Sequence, residues 1–385
     1  YRRVGDIPRK RHTVHCDAQG NRLHEELVGE EGFSGGSSLL YHRNSPSALT
    51  AIDALDDDRD TLTPLHPSAP LHLRTRAVEA PGGDPVRGRS LLAGNADLRI
   101  LVAQATESSG LYRDAVGDQL VYVQHGDAVL ESSFGKLTVR AGDYVVVPRS
   151  VCHRWNVITR LSLLIVEASS HVRPPSRYLT ATGQFREHAP YCERDLRIPK
   201  EPLVVSAEGP AEVLVRTRAG LTCQTYADHP FDVVGWDGTV YPWALSIHDF
   251  EPIVGSIHQP PPVHQTFEGN GFVICSFVPR LFDFHPDAVK IPYHHSNADS
   301  DEVIYYSAGH FMSRGDSGIN VGSISLHPSG FVHGPQPGSY ERSLDKARTE
   351  ELAVMIDTFA PLLITDTARA VSDPDYFRSW SPARD

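Results

Sequence analysis

Two stretches of this 385-residue chain repeat one spacing of uncommon residues, and that repeat restricts the fold more than any other feature. In the C-terminal half, His295-Ser-Asn297 is followed by four residues and Glu302, then by six residues and Gly309. Farther on, Gly322 leads through five residues to Pro328-Ser-Gly330 and, two residues later, His333. In the N-terminal half, Tyr112-Arg-Asp114 is followed by four residues and Gln119, then by six residues and Gly126. Gly142-Asp143 then leads to Pro148 and His153. Between the glycines run short segments rich in Val, Leu and Tyr: Leu98–Ala105, Gln119–Gln124, Ala128–Ser132, Lys136–Arg140 and Tyr144–Val147 in one half, and Gly271–Val278, Glu302–Ser307, Ser323–Leu326 and Leu352–Ile364 in the other. Short β-branched and aromatic runs bounded by Gly or Asp read as strands joined by tight turns. Helical periodicity is scarce, so the expectation is an all-β barrel or sandwich built twice.

The spacing matches both sequence motifs of the cupin barrel. A small β-barrel can point one His and one Glu inward from one hairpin and a second His from the next, so that three ligands meet at one place. The second repeat keeps His295, Glu302 and His333. In the first, Tyr112 stands for the first His and Gln119 for the Glu, and only His153 survives. A bicupin follows, with a degenerate, metal-free first barrel and a metal-binding second one. Two histidines and one carboxylate form the facial triad of non-haem Fe(II) oxygenases, leaving positions for a chelating substrate and O2. Zn(II) favours tetrahedral closure and has no redox chemistry; Mn(II) remains a competitor. His294 and Asp301 adjoin ligands in sequence, but strand alternation points them away.

The formal net charge of -12 argues against nucleic acid or an anionic membrane as partner. The five cysteines (Cys16, Cys152, Cys192, Cys223, Cys275) are scattered and odd in number, with no CxxC pair, which favours a reducing compartment. No apolar run reaches membrane-spanning length and no apolar signal core opens the chain. A cytoplasmic location is expected.

Further motifs resemble the homogentisate 1,2-dioxygenase family over nearly the whole chain. They are Arg11-His12-Thr13, Glu25-Glu26-Leu27 with Gly32-Phe33, Ser37 through His42, Pro230 through Gly238 (PFDVVGWDG), Pro292-Tyr293 before His295, and His333-Gly334-Pro335. The resemblance implies two jelly-roll-like barrels of unequal size with an irregular N-terminal segment and few short helices. It implies a trimer or hexamer, bound Fe(II), and cleavage of homogentisate by O2 to 4-maleylacetoacetate, a step of tyrosine and phenylalanine catabolism. It places an acid/base histidine at His258, with His264 as the alternative on the same loop; an imidazole titrates near ~6.5 and suits proton transfer. Tyr293 and Arg280 are candidate pocket residues. The chain departs from the family in a shorter leader and a His-to-Glu gap one residue longer. Phe311 stands where the family has a substrate-binding tyrosine, which opens gentisate or another substituted hydroquinone as alternative substrates. A bicupin that binds without turnover is the remaining reading.

The expected organisation is an N-terminal region over 1–240 holding the degenerate barrel at about 95–170, an iron-binding barrel over 241–366, and a loose tail over 367–385. Residues 54–92, rich in Pro, Asp and Arg, read as a long surface connection.

Overall fold

The computed structural model describes residues 1–56, 61–78, 83–205 and 209–381. Among these residues strands dominate, and the two α-helices are the five-residue turns Ser339–Ser343 and Asp366–Ala370. The first barrel is made by two sheets. One centres on Asp143–Val147, Gln119–His125, Leu161–Ala168 and Leu98–Ala105, and the other on Asp127–Ser132, His153–Val157 and Leu111–Asp114. The second barrel's main wall runs Gln265–Gly269, Phe272–Phe277, Leu352–Thr358, Asp301–Ala308, Ser323–His327, Leu71–Arg74 and Ser372–Asp373. A two-stranded ladder of Arg280–Leu281 with Arg348–Thr349 adds to it. The bicupin read from the repeat is the architecture found.

The apolar strands are continuous rather than alternating because both their faces are buried. In Gln119–His125, Val121 and Val123 point into the first barrel beside Val145, Ile165 and Trp155. Leu120 and Tyr122 point the other way, into a core shared with Phe267, Val303, Tyr305 and Ile356 of the second barrel. The Tyr122 and Tyr144 hydroxyls each meet a serine of the second barrel, Ser307 at 2.7 Å and Ser276 at 2.8 Å. Buried hydroxyls need such partners, and the pairing fixes how the two sheets stack.

Two expectations are corrected. The segment 54–92 is not only a surface connection, since Leu71–Arg74 is a strand of the second barrel, paired with Ser323–His327. Arg89–Gly94 belongs to the first barrel and receives Leu363–Ile364 from the far end of the chain. The tail is not loose either. Ser372–Asp373 pairs with Leu71–Arg74, and Tyr376 is buried against His327; residues 382–385 lie outside the described residues. Each barrel therefore borrows strand from the other's half of the sequence, because a sheet edge left open would expose unpaired backbone.

The PFDVVGWDG stretch has a structural place. Val233–Gly238 pairs with Arg2–Gly5 and Ser37–His42, and Ser37–His42 with His24–Gly29. His42 lies between Asp232 (2.6 Å) and Glu26 (3.0 Å). Burial works against its charge, but hydrogen bonds to both carboxylates outweigh that and lift its pKa to about 9.

Candidate metal centre

Glu302 is the second residue of Asp301–Ala308 and faces the inside of the second barrel. Its neighbour Asp301 turns outward, where its carboxylate accepts from the backbone amides of Ser329 (2.9 Å) and Leu362 (2.8 Å). His333 is buried. His295 does not sit on a hairpin strand as expected. It lies on an irregular segment joined to His333 by an isolated bridge, each amide donating to the other's carbonyl at 2.8 Å.

The donor atoms of His295, Glu302 and His333 lie within 4.8 Å of one another. The Nδ1 atoms of both histidines point to backbone carbonyls, of Tyr293 at 3.2 Å and Phe331 at 3.0 Å. That contact fixes the tautomer and leaves each Nε2 lone pair as the free donor. His333 Nε2 is buried with no hydrogen-bond partner, and lies 3.3 Å from Glu302 Oε1. Burial opposes the Glu302 charge, but the three imidazoles gathered around it, of His295, His327 and His333, hold its pKa well below the ordinary range. The Glu302 carboxylate in turn raises the pKa of His295. An ionised carboxylate with two oriented imidazoles is a donor set that fits a divalent metal.

The first barrel has replaced this set with a closed polar network. The Gln119 amide donates to Tyr112 (3.3 Å) and Asp114 (3.1 Å), and Arg89 bonds Glu167 at 3.0 Å. Arg216 bonds Asp114 at 2.8 Å. His153 is fully buried, and burial lowers its pKa to about 4.

A cavity of about 420 Å³ opens over His295 and Glu302. Tyr293, His258 and Arg280 line it. The Tyr293 ring lies edge-on to both His258 (5.3 Å) and His295 (6.3 Å). His258 is half-exposed, with Nδ1 3.4 Å from Asp283. His264 also lines the cavity; burial first, then Arg280 and His258, lower its pKa to about 3, so it stays neutral. Phe311 is not among the lining residues. It packs in a cluster with Ile304 and Ala353, its ring 4.9 Å from that of Tyr306.

Three residues of the site escaped the sequence reading. His327 stands opposite Glu302 on the neighbouring strand, with Nδ1 2.9 Å from Oε1, and its ring stacks on His333 at 4.1 Å. Burial, which outweighs the pull of Glu302, lowers its pKa to about 4. Arg314 is buried and donates to the Tyr306 hydroxyl (2.8 Å) and the Gly334 carbonyl (2.6 Å), tying the loop of His333 to the strand of Glu302. Asp357 stands opposite Glu302 on the other neighbouring strand; burial and Glu302 raise its pKa to about 7. Extending the repeat would have marked Asp357, because Glu167 holds the matching place beside Gln119. His327, just before the motif proline, was legible as an inward position two residues from Ser325. Arg314 carries no signal of its own.

Comparison with known proteins gives two family models, described as "Homogentisate 1,2-dioxygenase N-terminal" and "Homogentisate 1,2-dioxygenase C-terminal", which match residues 38–247 and 244–385. A protein of Saccharolobus solfataricus named "Putative dioxygenase SSO1533" is 38% identical over 389 residues, covering 99% of this chain and 98% of that protein. The "Homogentisate 1,2-dioxygenase" of Emericella nidulans is 24% identical over 330 residues, 78% of this chain and 72% of its own length. That of Homo sapiens is 24% identical over 349 residues, 82% and 76% respectively.

Proposed function

Because the chain belongs to the homogentisate 1,2-dioxygenase family, we propose that it is an Fe(II)-dependent enzyme that cleaves the ring of homogentisate with O2 to give 4-maleylacetoacetate. The observation that carries this reading is the triad of His295, Glu302 and His333, two of whose members, His295 and Glu302, line a cavity that His258 also lines. Ferrous iron bound there supplies a site that a ring hydroxyl and an acetate carboxylate can chelate, together with activation of O2.

The chain's own residues do the rest. Glu302 and the two Nε2 donors hold one face of the metal position, and His327 holds Glu302 in place. His258 takes the proton of the ring hydroxyl, with Asp283 orienting its imidazole. His264 remains neutral and packs on Phe277, so it shapes the wall without competing for that proton. Arg314 keeps the His333 loop closed over the strand of Glu302. Rings held this way meet the oxidant in a fixed orientation, which contributes more than any single contact.

A second reading, that the natural substrate is gentisate or another substituted hydroquinone, is supported by the low identity, 24%, to the homogentisate 1,2-dioxygenases of Emericella nidulans and Homo sapiens. O2 uptake by the iron-loaded protein with homogentisate, gentisate and methylhydroquinone decides between them. Uptake with homogentisate matched by maleylacetoacetate absorbance supports the first reading. Uptake with another hydroquinone alone supports the second, and uptake with none overturns both.

We also propose a homo-oligomer, trimer or hexamer, in a reducing cytoplasm. In support, the edge strand Leu49–Leu55 is exposed at every residue, and the five cysteines are free. Among the described residues no helix is long and apolar enough to cross a membrane. Light scattering of the purified protein tests the assembly; a monomer at micromolar concentration overturns it.

A further inference from the structure

The wall of the metal site carries one group that the proposed chemistry leaves unused. Three adjacent strands set His327, Glu302 and Asp357 in one row, with Glu302 opposite His327 on one side and opposite Asp357 on the other. Residues directly opposite in an antiparallel pair share a face and lie within side-chain reach of each other. Asp357 therefore shares the inner face with Glu302, and it lines the cavity. Its Oδ1 is shut off from solvent without a hydrogen-bond partner. Among the described residues no cation stands in ion-pair contact with its carboxylate.

The first barrel shows how the charge of an acid at this place is compensated. Glu167 stands opposite Gln119 as Asp357 stands opposite Glu302. Three guanidinium groups surround it: Arg89 at 3.0 Å, Arg216 at 3.5 Å and Arg99 at 3.6 Å. The second barrel keeps the acid but not the arginines. A half-buried carboxylate with one oxygen left without a donor carries a desolvation cost that a hydrogen-bond donor entering the cavity beside it would relieve. The donors that a hydroquinone brings are its ring hydroxyls.

We propose that Asp357 binds the substrate directly, its carboxylate accepting a hydrogen bond from a hydroxyl of the ring held in this cavity. This rests on the hydroquinone reading above and goes further by naming the residue that selects for hydroxylated rings. The site then recognises a ring by two separate features: a hydroxyl in reach of the metal position and a second hydroxyl in reach of Asp357. An ether at the second place presents no proton and would leave the carboxylate unsatisfied, which is a stronger rejection than a poor fit alone.

The test uses the iron-loaded protein without O2, so that ligands bind and do not turn over. Calorimetry measures the affinity of homogentisate and of each of its two ring monomethyl ethers for the wild type, Asp357→Asn and Asp357→Ala. Iron content is assayed first in all three. The wild type is expected to prefer homogentisate over both ethers, over at least one of them by roughly ten- to a hundredfold through the lost bond to a carboxylate. In Asp357→Ala the preference over that ether should fall to within about twofold of the preference expected from metal contact and shape alone, as judged from the other ether. Asp357→Asn, which keeps the shape and one oxygen acceptor, should fall between the two. Iron content should be unchanged.

Preferences over both ethers that are the same in wild type and variants overturn the proposal, because methylation and substitution would then act independently. So does loss of iron from both variants, which would make Asp357 a support of the metal instead. A wild type that binds none of the three ligands would overturn the hydroquinone reading itself, a different failure that the same titrations distinguish.

Discussion

His295 and His333 hold each other through their backbones, each amide donating to the other's carbonyl at 2.8 Å, with ring centroids 4.4 Å apart. Two candidate ligands 38 residues apart in sequence are thereby made one rigid unit. The third ligand, Glu302, stands on a ladder between two other strands. Preorganisation of this kind lets the chain present an open face of ligands without collapsing the cavity.

The second barrel should hold about one iron per chain, and the first none, given its closed network of Arg89, Glu167 and Gln119. Glu302→Ala and His333→Ala should each abolish iron retention through desalting. His153→Ala should lower stability, since the ring is fully buried, but leave iron content unchanged. Metal analysis of the purified variants checks this; a stoichiometry near two, or iron loss on changing His153, contradicts it.

His258→Gln should keep iron and substrate binding while lowering kcat by roughly 10²–10⁴-fold, the range for a lost general base. His258 touches no ligand of the metal and is half-exposed, so the fold should not suffer. Steady-state O2 uptake under substrate saturation measures it. Turnover within a few-fold of wild type would move the proton to a water, because His264 is held neutral by burial.

Phe311→Tyr should leave the ratios of kcat/KM among homogentisate, gentisate and methylhydroquinone within about twofold, because Phe311 packs behind the wall and not on it. A hydroxyl added against Ile304, Tyr306 and Ala353 would be buried without an evident partner, at a cost of about 1–3 kcal/mol in unfolding free energy. Denaturant unfolding and kinetics on the one variant read both effects. A shift in the substrate ratios without loss of stability would return Phe311 to the pocket.

His42→Gln should show a pH-dependent stability loss. The pKa of His42 is raised in the folded state to about 9 from an ordinary 6.5, so the folded chain holds the proton more tightly than the unfolded one. That stabilisation is fully present below the unfolded value and is lost as pH rises through the folded one. The gap in unfolding free energy between wild type and His42→Gln should therefore be on the order of 2–3 kcal/mol near pH 6 and shrink steadily toward pH 9 and above. Unfolding curves across pH 6 to 10 test it, and a gap independent of pH would show that the Asp232 and Glu26 contacts act without the charge.

What the sequence alone determined is local and periodic. Strand positions such as Leu98–Ala105 and Asp301–Ala308 follow from short β-branched runs between turn residues, and they came out where the pattern placed them. The candidate set of His295, Glu302 and His333 was legible from residue type at fixed spacing, and the structure gathers their donor atoms within 4.8 Å, although His295 arrives on an irregular segment rather than on a hairpin strand. What only the tertiary structure decided is everything carried by contacts between distant segments. Leu71–Arg74 and Tyr376 lie far from the second barrel in sequence and complete it in space, since open edges and apolar surface are covered by whatever chain can reach them. Phe311 sits two residues past Gly309, yet no spacing rule could say whether its ring meets the cavity or the core. Asp357 could be marked in sequence only by extending the repeat to its match with Glu167. Its meaning depends on the register that sets it opposite Glu302 and on the absence of the arginines that surround Glu167, and register and partners are properties of packed strands rather than of any one of them.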